Sequence, residues 1–116
     1  MYNNDDIIDI NESLVKDYIE SIRPEDPEIR KEVDISYIYT NKTFKLFQVR
    51  PNWRNPETKE RFEFAKIQFI KTQQLWKLYW MRSSGKWELY KPFPESNRID
   101  KIIEVIKQDE HACFFG

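Results

Sequence analysis

Residues 75–90, LWKLYWMRSSGKWELY, narrow the possible folds more than any other stretch, and three of the four tryptophans fall within them. Trp76, Leu78, Trp80 and Arg82 share one face of a period-2 pattern, while Leu75, Lys77, Tyr79 and Met81 share the other. Ser83, Ser84 and Gly85 supply a turn, after which Trp87 and Leu89 alternate with Glu88 and Tyr90. Wound as a helix, these rings would surround the whole cylinder, and the run is rich in strong β-formers. The pattern predicts a β-hairpin. Two aromatic-rich strands cannot hide their faces against each other, so the remaining chain must cover them.

Upstream, Asp9 and Glu12 have capping-box spacing, with Asn11 as a competing cap. Ile7, Ile8 and Ile10 are candidate anchors for the chain's entry. A helix is expected as far as Ile22, its apolar stripe formed by Leu14, Tyr18, Ile19 and Ile22 with Val15 at the edge. Pro24 ends it. Residues 23–33 are charged and hold two prolines, which predicts a loop with room for one helical turn at Pro27. Strands follow at residues 33–39 and 44–50, the second apolar on both faces and hence central. Residues 51–59 form a polar connection around Trp53, a side chain suited either to a lid on the core or to a site. A third strand covers residues 60–70, with a phase slip near Lys66 and Ile67 that reads as a β-bulge. Pro92 and Pro94 end the sheet. Ser96 is the expected cap of a last helix over residues 97–108, whose apolar face is Ile99, Ile102, Ile103 and Ile106. The tail after it is rich in apolar residues and is expected to fold back onto the domain.

A chain of 116 residues supports one domain, residues 1–116, with a modest core. Its single cysteine excludes an internal disulfide framework and suits a reducing compartment. No apolar run reaches the roughly 18 residues that span a bilayer. The opening MYNNDDIIDI is acidic where a secretory signal is basic. A soluble cytoplasmic protein, with no membrane partner, is expected. The net charge of −1 conceals a segregation. Residues 1–41 hold eleven acidic and four basic side chains (−7), residues 42–92 four acidic and twelve basic (+8), and residues 93–116 five acidic and three basic (−2). Acidic helices paired to a basic sheet at their seam would explain this internally. A basic face turned outward to phosphate or nucleic acid would explain it functionally.

Several short runs carry a family resemblance. They are Val49-Arg50-Pro51 with Trp53, Ala65-Lys66, the run from Trp76 to Arg82, Lys86-Trp87, Tyr90-Lys91-Pro92, and the tail Asp109-Glu110-His111-Ala112-Cys113-Phe114-Phe115-Gly116. In these the chain resembles DUF3024, a family of small, mostly bacterial proteins of unknown function. The resemblance spans roughly residues 45–116. Members often carry an aspartate-lysine-tryptophan-histidine run in the hairpin, where this chain has Gly85-Lys86-Trp87-Glu88. The resemblance implies a shared fold and no activity.

Three groups of residues are candidates for function. Arg50, Trp53, Arg54, Lys66, Trp80, Arg82 and Trp87 combine cations with rings, as an anion site requires. Their structural alternative is pairing of Arg50 and Arg82 with Asp109 or Glu110, tying tail to sheet. Lys77, Tyr79, Met81 and Tyr90 form an expected exposed aromatic face, suited to a second copy of the chain, a protein partner or single-stranded nucleic acid. In the tail, Asp109, His111, Cys113, Phe114 and Phe115 form a further candidate group, either a Cys-His couple or a contact element. As the sole histidine and sole cysteine, His111 and Cys113 lack the company a zinc site or nucleophile needs. Asp5, Asp6 and Asp9 lie in an end too loosely held for acid-base work. Two glycines are too few for a nucleotide loop. No catalytic residue, metal or cofactor is expected. The expected fold is α+β: a five-stranded antiparallel meander with the N- and C-terminal helices packed on one face. The expected role is a non-catalytic module acting through protein–protein association or self-association, such as a homodimer. The alternative is a binder of an anionic ligand or single-stranded nucleic acid.

Overall fold

The N-terminal apolar stripe forms a helix in the computed structural model, which describes residues 9–115. The expectations for Ile7, Ile8, the carboxylates of Asp5, Asp6 and Asp9, and Gly116 lie outside the described residues. Helix α1 (Asp9–Ile22) buries Val15, Tyr18 and Ile19. Its stripe is centred one residue later than expected, so Leu14 stays at the rim, and Ile10 is 76% exposed and anchors nothing among the described residues. The Glu12 carboxylate accepts a hydrogen bond from the Tyr37 hydroxyl at 2.9 Å, and the capping-box expectation at Asp9 lies outside the described residues. At the other end Arg23 donates to Asp34 at 2.9 and 2.8 Å and to Glu20 at 3.1 Å, tying α1 to the sheet. The one-turn helix α2 (Pro27–Arg30) follows, with the Asp26 carboxylate accepting from the Glu28 amide at its cap.

The strands are β1 (Asp34–Thr40), β2 (Thr43–Pro51), β3 (Lys59–Ile70), β4 (Leu75–Met81) and β5 (Trp87–Leu89). They form an antiparallel meander in sequence order, as hairpin connections favour. Asn41 and Lys42 both take positive φ (50° and 58°) in the two-residue β1–β2 turn, the backbone twist such tight hairpins need. Gly85 takes φ 84° in the β4–β5 turn. The sheet does not end at Pro92 and Pro94. A two-residue strand β6 (Glu95–Ser96) returns to the β4 edge that β5 leaves open, and the Pro94 carbonyl accepts from the Leu78 amide at 3.0 Å. Proline can serve here because it accepts rather than donates.

The bulge lies elsewhere than expected. Leu46 pairs with Ala65 and Phe47 with Glu63, so the extra residue is Phe64 on β3, two positions before Lys66. Phe64 and Ala65 are consequently both buried in succession. The bulge turns Phe62, Ala65, Ile67 and Phe69 toward the helices and sends Lys66 to the opposite face.

Helix α3 (Ile99–Gln108) buries Ile99, Ile102, Ile103 and Ile106. Its N-cap is Arg98, without a side-chain cap, while the Ser96 hydroxyl accepts from the Arg98 amide at 3.1 Å just outside the helix. Together α1 and α3 cover the sheet face that carries Tyr37, Phe44, Leu46, Ile67, Trp76, Leu78 and Trp80, and these side chains form one core. No helix among the described residues covers the other face. The tail folds back in the same chain. Asp109 takes the left-handed conformation at the end of α3 (φ 43°), and its two carboxylate oxygens accept from the amides of Phe114 (3.0 Å) and Phe115 (2.9 Å). That loop inserts the buried Phe114 ring beside Tyr90, 5.0 Å between centroids.

Candidate functional site

Strand registry builds the uncovered face. Ile38 of β1, Lys45 of β2, Lys66 of β3, Tyr79 of β4 and Leu89 of β5 lie opposite one another in a single row across the sheet. The next row along contains Thr43, Gln68, Lys77 and Glu95. In the other direction Met81 opposes Trp87, and Phe47 opposes Glu63. Phe47 is buried although no helix lies above it, because the Arg61 guanidinium stacks 4.6 Å from its ring.

Lys66 is the centre. Its ammonium lies 4.4 Å from the Tyr79 ring and 5.3 Å from the Trp87 ring, and Lys45 stands directly opposite in the ladder. Desolvation, then the charge of Lys45, lowers the Lys66 pKa, with Glu63 partly opposing. Neither lysine has a carboxylate within ion-pair distance among the described residues. Like charges opposed across strands cost about 0.2–1 kcal/mol. Cation–π contact at a half-exposed site returns about 0.5–1 kcal/mol. The two nearly cancel, so the arrangement positions an ammonium group without stabilising the fold.

The expected anion cluster is divided among three places. Lys66 and Trp87 share the uncovered face. Trp80 packs against the core on the helix side, with Arg82 beyond it at the sheet's end, and Lys66 therefore does not share a face with Phe64. The Arg82 Nε lies 3.8 Å from a Glu88 oxygen, an exposed ion pair. Arg50 is exposed near the end of β2 with no ion pair among the described residues. Neither arginine reaches the tail, where the Asp109 oxygens are occupied by backbone amides. Trp53 is 80% exposed and is no lid. It projects from a turn in which the Asn52 side chain accepts from the amides of Arg54 and Asn55 at 2.8 and 3.0 Å, and the Arg54 guanidinium rests 4.6 Å over its ring.

Of the expected aromatic face, Lys77, Tyr79 and Met81 do lie on the uncovered side, half-buried. Tyr90 does not. It is 2% exposed: the register sets Trp87 against Met81 and Leu89 against Tyr79 on the uncovered face, so alternation turns Tyr90 to the helix side, where it packs against Phe114. Lys45 and Arg61 were missed by sequence reasoning. The signal for Lys45 was its alternation with Phe44 and Leu46, whereas Arg61 became assignable only once the bulge was located.

The tail offers little chemistry. The Cys113 thiol donates to the main-chain carbonyl of His111, at 3.7 Å, rather than to its ring. Burial, then the charges of Asp109 and Glu88, pushes the thiol's pKa up, the reverse of an activated thiolate. No group of three or more histidine, cysteine or carboxylate side chains among the described residues is arranged to hold a metal. A groove of about 460 Å³ between α1 and α3 mixes Asp17, Asp100 and Glu104 with Lys101 and Lys107 and so favours neither sign of charge. No helix among the described residues is long and apolar enough to cross a membrane.

No curated protein and no solved structure matches the chain. A family model described as a domain of unknown function, DUF3024, matches residues 4–116. The match takes in the N-terminal helix as well as the hairpin and tail runs that first suggested the resemblance, and the chain belongs to the DUF3024 family.

Proposed function

We propose that this protein is a non-catalytic cytoplasmic module that holds an anionic partner on the uncovered face of its sheet. The observation that carries the reading is the opposed pair Lys45 and Lys66, without an ion pair among the described residues, with Lys66 braced by the Tyr79 and Trp87 rings. Like charges set directly opposite one another across strands break a local pairing rule, which is the pattern expected where function sets the residue. The charge segregation supports the same reading. Among the described residues, no ion pair joins a helix carboxylate to a sheet cation, so there the basic strands are not neutralised by their acidic cover. Face-to-face pairing of two copies would set lysine pair against lysine pair, whereas an acidic partner relieves the repulsion that is already present.

The test uses inorganic polyphosphate as the probe, with affinity measured by calorimetry across a salt series. The wild-type protein is expected to bind, with affinity falling steeply as salt rises. Lys45→Ala with Lys66→Ala should weaken binding by at least roughly ten-fold and flatten the salt dependence by about two charges. Affinity unchanged in the double variant would overturn the proposal.

A further inference from the structure

We infer that the anionic partner is single-stranded nucleic acid, with phosphates on Lys45, Lys66 and Lys77 and an unpaired base against Trp87 or Tyr79. This rests on the anion-binding reading and adds two observations to it. The first is the direction in which the cations run. Lys77 belongs to the row next to that of Lys66, two residues along the strands, a step of about 6.8 Å. Arg61 lies on the same face beyond the bulge, separated from Lys66 by Glu63, and Glu95 stands opposite Lys77 in the ladder. Charge spread along a strand fits a polymer of repeated charges better than a compact anion.

The second observation is what stands beside the cations. Tyr79 and Trp87 lie half-buried on the uncovered side, with the Lys66 ammonium over both rings. The face of an aromatic ring carries negative potential, so it repels carboxylates and receives cations or the flat face of a base. An acidic peptide would gain from the lysines and lose against the rings. A nucleic acid strand uses both: a phosphate draws the Lys66 ammonium outward, and a base takes the ring face so released. Stacking of this kind needs unpaired bases, and a broad sheet offers no helix or ribbon to enter a duplex groove.

The test measures affinity for a short single-stranded oligonucleotide of mixed sequence, the same sequence as duplex, a polyglutamate peptide and inorganic polyphosphate. The wild-type protein is expected to prefer the single strand at low salt. Trp87→Leu should weaken that binding roughly ten-fold and leave polyphosphate binding within about two-fold. Tyr79→Leu provides the same reading if Trp87→Leu does not fold. A single strand bound no better than duplex or polyglutamate, or bound equally by both leucine variants, overturns the inference while polyphosphate binding keeps the anion reading intact. Failure of every anion to bind removes both.

Discussion

Asp109 ends α3 in the left-handed conformation and spends both carboxylate oxygens on amides of the tail. Asparagine and aspartate tolerate this conformation better than other side chains with a Cβ, so residue type and geometry agree. Asp109→Ala removes two charge-assisted hydrogen bonds. It should lower stability by about 2–3 kcal/mol in urea unfolding, with Asp109→Asn recovering part of the loss. Arg23 acts on Asp34 in a way that pH can read. The hydrogen bonds from Arg23 hold the Asp34 carboxyl below its ordinary value, with burial opposing. A carboxylate depressed in the folded state contributes stability above the ordinary value near 4, and that contribution is lost as pH falls through the folded value. Asp34→Asn should therefore cost stability at neutral pH and flatten the acid limb of a thermal melt series below about pH 4. An unchanged acid limb would show that Arg23 and Asp34 are not coupled in solution. The tail's return to the core was legible from its crowding of apolar residues, but the Asp109 clasp was not, because it is made by backbone amides. Tyr90 was misread because alternation within each strand does not say which face of β5 matches which face of β4; the pairing of Met81 with Trp87 and of Tyr79 with Leu89 decides it.

Among the elements, α3 was the most legible, since its four isoleucines fall at helical spacing and all four are buried. Ile106→Ala should cost about 2–5 kcal/mol in chemical denaturation. The tail loop makes a sharper pair of predictions. Phe114 is buried against Tyr90, while Phe115 is 42% exposed beside Phe64. Phe114→Ala should lose about 3–5 kcal/mol, and Phe115→Ala about 1 kcal/mol or less. Similar losses at the two positions would mean the tail is not seated as described. Less legible were the bulge and β6. Apolar residues at both Phe64 and Ala65 are compatible with a slip anywhere from there to Ile67, and only the pairing of Leu46 with Ala65 decides it. A two-residue strand just after Pro92 and Pro94 has no periodicity to read.

At the scale of the molecule, two acidic helices and a basic sheet were visible as blocks of charge, and the two-layer arrangement followed from apolar stripes. The side of the sheet on which the basic residues stand was not visible. It depends on one extra residue at Phe64, which carries Lys66 away from the helices and sets it opposite Lys45. The seam between layers is mainly apolar, with the Arg23–Asp34 pair at its edge, and Lys45, Lys66 and Lys77 stand on the face left open.

The most direct test of that arrangement is Lys45→Glu, with unfolding free energy and polyphosphate affinity measured on the same preparation. Replacing the opposed cation by a carboxylate turns a cross-strand repulsion into an attraction. Stability should hold or rise by up to about 1 kcal/mol, while affinity falls at least roughly ten-fold. A variant that loses stability and keeps its affinity would contradict the account, for Lys45 would then serve the fold and not a partner.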